Sequence, residues 1–232
     1  MLKLPWINNL INLFYPNVCQ SCGEALNKQE AVICISCLLR LPTTGFHLHT
    51  ENPVSRIFWG RVDINAATSF LFFSKQGRVQ NLIHQLKYKG QKEVGIELGR
   101  LFGSELLQSP DFSNIDFIVP VPLHPKKLSK RGYNQSLMIA EGLKKSMNVE
   151  IFTGLQRNVH SATQTKKSRY ERWENVKDIF VLEQQEKLEN KNILLVDDVL
   201  TTGATLEACA TVLSGVPGVT VSIATLAYAQ IQ

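Results

Sequence analysis

No apolar run in this 232-residue chain approaches the ~20 residues that a helix needs to cross a bilayer, so no helical membrane span is expected. An unbroken apolar leader is also missing. Trp6, Ile7, Leu10, Leu13 and Phe14 are interrupted by Asn8, Asn9 and Asn12, a spacing that predicts a short amphipathic helix instead of a signal peptide. The expected location is cytoplasmic. There is no low-complexity tract, and the only internal repeat is a duplicated pair of cysteines. Charged residues are few, 19% against 44% hydrophobic, the balance of an ordinary globular protein. The length suits one sizeable α/β domain with a small accessory module.

Acidic residues are scarce in two places. His124–Tyr133 holds Lys126, Lys127, Lys130 and Arg131 and no acid, and Arg157–Arg172 holds Arg157, Lys166, Lys167, Arg169 and Arg172 against Glu171 alone. These segments take nine of the 25 basic residues and one of the 20 acidic ones, so the remainder of the chain is net −3 although the whole is +5. Both read as loops. Positive charge concentrated in this way suits a polyanionic ligand.

The most informative stretch is Asn192-Ile-Leu-Leu-Val-Asp-Asp-Val-Leu-Thr-Thr-Gly-Ala-Thr205. An aliphatic run, Ile193 to Val196, reads as a buried strand that ends in two carboxylates. A hydroxyl- and glycine-rich turn follows, and then a helix over Leu206–Leu213. In open α/β sheets ligands bind at this end of the strands. Backbone N–H groups at a helix N-terminus make an anion site. Two acids beside such a cradle suit vicinal hydroxyls or a metal on one side and a monophosphate on the other, the outline of a ribose 5-phosphate. A capped helix alone would explain one threonine, but not two adjacent acids and a Thr-Thr-Gly-Ala-Thr run. A Leu-Val-Asp-Asp strand end also occurs in receiver domains of two-component signalling. Their phospho-acceptor aspartate lies far downstream, and the 34 residues after Asp198 contain no Asp.

Val196-Asp-Asp-Val-Leu-Thr-Thr-Gly-Ala-Thr205 resembles the phosphoribosyl-diphosphate (PRPP) motif of type I phosphoribosyltransferases. The resemblance implies that Asp197 and Asp198 hold the ribose hydroxyls, directly or through Mg²⁺. It implies that Thr201, Thr202, Gly203, Ala204 and Thr205 wrap the 5-phosphate.

Cys19, Cys22, Cys34 and Cys37 form two Cys-x₂-Cys pairs separated by eleven residues. Two such knuckles close a tetrahedral Cys₄ zinc site. An iron–sulfur cluster is the minor alternative, since four thiolates hold either. With all four positions taken by protein the metal is structural and not catalytic. Cys209, alone in the helix after the threonine loop, reads as packing.

The pattern between these landmarks predicts a strand over 66–73, a helix over 79–86, a second helix over about 93–107 and a strand over 116–121. A helix over 134–145 and short strands over 149–152 and 179–182 follow, and a last strand over 219–227. Strands alternating with helices argue for an α/β fold with a parallel sheet. The expected organisation is an N-terminal helix and Cys₄ module over 1–45, a transition over 46–65 and a phosphoribosyltransferase-like domain over 66–232.

One order of motifs is narrower. The four cysteines precede Leu86-Lys-Tyr-Lys-Gly90, Val119-Pro-Val-Pro-Leu-His-Pro125 and Arg131-Gly-Tyr-Asn-Gln135. Thr163-Gln164 with Arg169, Arg172 and Asn175 follows, and the PRPP motif comes last. Taken together this resembles the ComF family of competence-associated, phosphoribosyltransferase-like proteins. Lys167 departs mildly, where an aliphatic residue is expected.

The resemblance implies a diphosphate loop built on Lys126, Lys127, Arg131 and Gly132. It implies a mobile lid carrying Gln164, Arg169 and Arg172, and bound Mg²⁺ with PRPP. The implied reaction is displacement at ribose C1 with loss of diphosphate to an unknown acceptor, with Asp197, Asp198 and Arg131 as the catalytic candidates. The alternative is a non-catalytic protein of the same fold that binds single-stranded DNA among DNA-uptake proteins, with Tyr133, Tyr170 and Trp173 as candidate stacking platforms.

Overall fold

The computed structural model describes residues 17–158 and 179–229. The expected N-terminal amphipathic helix and the lid candidates Gln164, Arg169 and Arg172 lie outside the described residues, as do Tyr170 and Trp173.

Five strands form one parallel sheet: β1 (Ala66–Phe73), β2 (Phe117–Pro120), β3 (Glu150–Ile151), β6 (Asn192–Leu200) and β7 (Thr220–Ala229). Their spatial order is β1-β7-β6-β2-β3. The central strands are buried on both faces, as helix-covered parallel strands are, and therefore read as unbroken aliphatic runs such as Ile193–Val196. Helices α2 (Arg78–Tyr88), α3 (Lys92–Leu106) and α6 (Gln135–Met147) cover one face through Leu82, Leu98, Phe102, Ile139 and Leu143. Helix α7 (Ala204–Leu213) covers the other, joined by an antiparallel ribbon of β4 (Leu155–Arg157) and β5 (Phe180–Leu182). Three shorter helices complete the described chain: α1 (Ile35–Leu38), α4 (Pro110–Ser113) and α5 (Pro125–Arg131).

Helices α3 and α6 approach backbone to backbone because glycines face each other. A Cβ on Gly99 would lie 2.3 Å from the Ile139 carbonyl oxygen, and one on Gly142 would lie 2.1 Å from that of Ile96. Backbone cannot yield as a side chain does. Gly99→Ala is therefore expected to destabilise the fold by about 2–3 kcal/mol, the upper range for overpacking, as read by urea denaturation. A loss below about 0.5 kcal/mol would mean that the helices separate without cost.

Two local readings are revised. The strand does not end at the aspartates but runs on through them, because β6 keeps pairing with β7 beyond Val196, through Asp197↔Thr225 to Leu200↔Tyr228. The basic stretch 124–133, expected as a loop, contains helix α5. Pro125 starts it with a preset φ, the His124 imidazole accepts from the Lys126 N–H at 3.1 Å, and Gly132 ends it at φ +78°. Local capping thus outweighs repulsion among four cations, and Lys130 and Arg131 occupy the last turn, where the helix dipole favours positive charge.

The stretch 46–65 carries two 3-10 turns, Phe46–Leu48 and Ser55–Ile57, and buries Val54 and Phe58 completely. Asn52 organises it. Its Nδ2 donates to the carbonyls of Ala67 (2.8 Å), His49 (2.9 Å) and Phe46 (3.3 Å), and its Oδ1 accepts from the N–H groups of Val54 and Ser55. This knot sets Ile57 and Phe58 against the turn that follows β6.

Candidate functional site

At the C-terminal end of β6 the chain passes through Thr201–Gly203 into α7. Gly203 has φ +77°, and a Cβ there would lie 2.9 Å from Ile57 Cγ2 and 3.1 Å from Phe58 Cε1. Only glycine satisfies both the turn and the packing. Thr201, Thr202, Ala204 and Thr205 are exposed around a cup of about 50 Å³ that Asp197 also lines. The first turn of α7, whose leading N–H groups have no acceptor within the helix, lines this cup.

Arg61 braces the loop from below. Its Nε donates to Glu207 Oε2 at 3.0 Å, and its Nη2 donates to the same carboxylate. Its Nη1 donates to the carbonyls of Thr202 (2.9 Å) and Ile57 (3.0 Å). One guanidinium thereby ties the stretch 46–65, the threonine loop and α7 together.

The two carboxylates are held differently. Asp197 Oδ1 accepts from the Ser136 hydroxyl and from the Asp198 N–H, both at 2.8 Å. Asp198 Oδ1 accepts from the Lys87 ammonium at 2.8 Å. Burial, and then the charge of Asp198, push Asp197 up to about 7, against the pull of the Asp198 N–H, the Ser136 hydroxyl and Lys87. A carboxyl in that range exchanges its proton readily for a metal or a hydroxyl donor.

The basic helix is linked to this pair. Arg131 Nη1 donates to Gln135 Oε1 at 2.7 Å, and its guanidinium packs 5.3 Å from the centre of the Tyr88 ring. The Tyr133 hydroxyl donates to the Leu86 carbonyl. The residues at the start of α6 therefore reach both α2 and Asp197. Lys126 and Lys127 are exposed and make no salt bridge among the described residues. Tyr133 is 7% exposed, so it packs in the core and offers no face for stacking.

Sequence reasoning missed Lys87, Ser136 and Arg61. Lys87 lies inside Leu86-Lys-Tyr-Lys-Gly90, which is informative only for its position in the order of motifs. Ser136 and Arg61 carry no signal, because what they touch is far away in sequence.

At the other end of the described chain the four cysteine sulfurs lie within 4.8 Å of one another, and Cys22 Sγ is 3.9 Å from Cys34 Sγ. A tetrahedral ion with bonds of about 2.3 Å sets its sulfurs roughly 3.8 Å apart. All five cysteines are free thiols. The first knuckle is closed by hydrogen bonds from Cys19 N–H to Glu24 O and from Gly23 N–H to Cys19 O, both 2.8 Å, and α1 presents Cys37. Burial pushes the Cys19 thiol up, but N–H groups of Cys34, Cys22 and Ser21 outweigh it and bring it down to about 7. At Cys22 the Glu24 N–H lowers the pKa, while desolvation and the other three thiols raise it to about 12. Four thiols so close cannot all ionise without a cation, and they can all ionise around one. The donor set therefore fits a single soft or borderline ion such as zinc. The module docks on α2 through Asn81 Nδ2, which donates to the Ser21 carbonyl at 2.9 Å, and Cys19, Ile33, Cys34 and Cys37 join the core of that face.

A parallel sheet with Asp197-Asp198 near the C-terminal end of β6, a threonine loop at a helix N-terminus and an N-terminal four-cysteine cluster define a phosphoribosyltransferase-type α/β fold with a small metal module. Residues 134–232 match the phosphoribosyl transferase domain family. The chain is 28% identical over 221 residues to DNA utilization protein YhgH of Escherichia coli (strain K12), covering 92% of each chain. It is 25% identical over 194 residues to competence protein ComFC of Bacillus subtilis (strain 168), covering 83% of this chain and 76% of that one. With competence protein F of Haemophilus influenzae it shares 29% identity over 130 residues, 54% of this chain and 57% of that one. Over most of its length the chain is thus similar to proteins named for DNA utilization and competence, and its C-terminal part matches the phosphoribosyl transferase domain family.

Proposed function

We propose that this protein binds PRPP and acts as a phosphoribosyltransferase-like protein in the cytoplasmic handling of incoming DNA. The observation that carries the reading is the placement of Asp197 and Asp198 at the C-terminal end of a parallel strand. They stand directly beside the exposed Thr201–Thr205 loop, which Arg61 braces. The names of the relatives, a DNA utilization protein and two competence proteins, support the assignment to DNA uptake. Among the described residues no helix is long and apolar enough to cross a membrane.

In this reading Asp197 and Asp198 hold the ribose hydroxyls, and the loop amides and threonine hydroxyls hold the 5-phosphate. The two aspartate carboxylates are hard oxygen ligands that suit Mg²⁺, which when bound would balance charge between them and the diphosphate. Arg131, with Lys126 and Lys127, would neutralise diphosphate as it departs from ribose C1. The Cys₄ cluster would hold a structural zinc with no open position for catalysis. The acceptor is a separate question, and diphosphate release that depends on an added acceptor is the assay that identifies it.

Titration calorimetry with PRPP and Mg²⁺ tests the core of this reading, and a folded protein that takes up no PRPP would overturn it. A sharper test uses the basic helix. Neutralising Lys126, Lys127 and Arg131 together is expected to weaken PRPP by about tenfold or more while ribose 5-phosphate changes little, since only PRPP presents a diphosphate. Equal losses for the two ligands would remove α5 from the diphosphate site.

The exposed cations of α5 also support a second reading, in which the fold binds single-stranded DNA without catalysis. Affinity would then fall steeply with salt. With Tyr133 in the core, that surface would hold backbone phosphates more than bases.

A further inference from the structure

Lys87 belongs to neither the threonine cradle nor the basic helix, yet it makes the closest cation contact at the carboxylate pair. It lies on the last turn of α2, and its Nζ is 2.8 Å from Asp198 Oδ1. The two side chains are 19% and 14% exposed, so this is not a loosely solvated surface pair. A pair this screened from bulk water interacts more strongly than an exposed one, while the 19% exposure of Lys87 leaves its stem a path to solvent.

The contacts of the pair show what Lys87 does there. Asp197 spends Oδ1 on two neutral donors, the Ser136 hydroxyl and the Asp198 N–H. The pair carries up to two negative charges, and among the described residues Lys87 makes its only salt bridge. A divalent ion bridging the carboxylates would stand within a few ångströms of that ammonium, and like charges at such range repel strongly. The ion and the ammonium therefore compete for one place.

The structure allows one of them to leave. The backbone of the α2 terminus is fastened: the Leu86 carbonyl accepts from the Tyr133 hydroxyl, the Lys89 N–H donates to Gln85 O at 3.1 Å, and Tyr88 packs under Arg131. The Lys87 side chain itself is a flexible four-carbon stem ending in a point charge. It can swing away while the helix stays in place.

We infer that Lys87 is the resident counter-cation of the carboxylate pair, and that a divalent ion enters this seat only by displacing it. The inference rests on reading Asp197 and Asp198 as the ribose and metal carboxylates. It makes Lys87 a positioning and gating residue that keeps the free site from taking up metal alone and couples metal entry to the arrival of the anionic ligand.

The test is Mn²⁺ binding to the zinc-loaded full chain without PRPP, followed by the electron paramagnetic resonance signal of free Mn²⁺. Thiolates select softer ions, so Mn²⁺ reports on the carboxylates and not on the cysteines. Lys87→Met is expected to bind Mn²⁺ about tenfold or more tightly than wild type. Lys87→Arg should behave as wild type, and the double variant Lys87→Met with Asp198→Asn should lose the gain. Lys87→Gln serves as a second neutral variant should Lys87→Met melt early. Affinity in the neutral variants equal to or below that of wild type would overturn the inference, as would a gain that survives Asp198→Asn. Should wild type fail to bind PRPP while Lys87→Met still gains Mn²⁺, the functional reading falls and the counter-cation role stands.

Discussion

Replacing Asp197 and Asp198 together by alanine is expected to weaken PRPP binding by more than about 100-fold, because two charge-assisted contacts to the ribose and the metal seat between them vanish at once. The fold should survive. Burial and the neighbouring Asp198 already disfavour the ionised form of Asp197, so its removal relieves a strain of charge. Lys87, 19% exposed, can turn to water when its partner is gone. The melting temperature is expected to move by no more than a few degrees, the scale of about 1 kcal/mol in a chain of this size. Calorimetry beside a thermal melt reads both quantities. Unchanged affinity in a folded variant would remove the motif from the site.

The same geometry sets a pH dependence. Asp197 titrates near 7, and the metal-bound or hydroxyl-bound form requires it ionised. Affinity for PRPP with Mg²⁺ should therefore rise with pH through about 7 and level off above it, and the Asp197→Ala variant should lose that slope. For the unliganded protein the sign is opposite. A carboxyl whose folded pKa is raised binds its proton more tightly in the native state, so its contribution to stability is largest below the unfolded value near 3.8 and is lost as pH rises through about 7. A ligand affinity flat between pH 6 and 8 would place the pair outside the binding step.

The second large effect is expected at the cysteine module. Stripping the metal, or replacing Cys34 by serine, should unfold residues 17–41, because that segment has little regular structure beyond the four-residue α1 and one isolated bridge, Val18↔Ala25. Metal binding free energy is then largely folding free energy for the module. The effect should spread to α2, since Cys19, Ile33, Cys34 and Cys37 share its core and Asn81 holds the Ser21 carbonyl. Hydrogen exchange should show protection lost over 17–41 and reduced over 78–88, with β6 and β7 unaffected. Metal analysis should find one zinc per chain. Visible absorption from an iron–sulfur chromophore would replace zinc with the minor alternative, and a folded, metal-free sample would refute the site.

Much of both sites is legible in the amino-acid sequence alone. The Cys₄ cluster and the strand, acid pair and threonine loop are contiguous or doubled patterns. Each carries its own chemistry within a few residues, so local spacing states it: two Cys-x₂-Cys pairs, and Asp197-Asp198 followed within seven residues by Thr201–Thr205. The parallel α/β architecture is legible for the same reason, because strands buried on both faces show as unbroken aliphatic runs and amphipathic helices separate them. Even the departures are local in origin. The basic stretch becomes α5 because Pro125, His124 and Gly132 supply a start, a cap and a stop that a count of charges does not register.

What the sequence determined by itself is therefore the class of the fold, the metal module and the residues that line the cup. Tertiary structure alone decided how the cup is held and charged. Arg61 and Glu207 are 146 positions apart, Ser136 and Asp197 are 61 apart, and Lys87 and Asp198 also lie far apart in sequence, yet each pair is in contact. The register of β6 against β7 and the seating of α2, α6 and stretch 46–65 around the sheet bring these partners together. The physical reason is the nature of the interactions. Hydrophobic periodicity and metal-ligand spacing repeat along the chain and leave a trace in it, whereas a single hydrogen bond or ion pair between distant segments forms only when the packed core has fixed both ends.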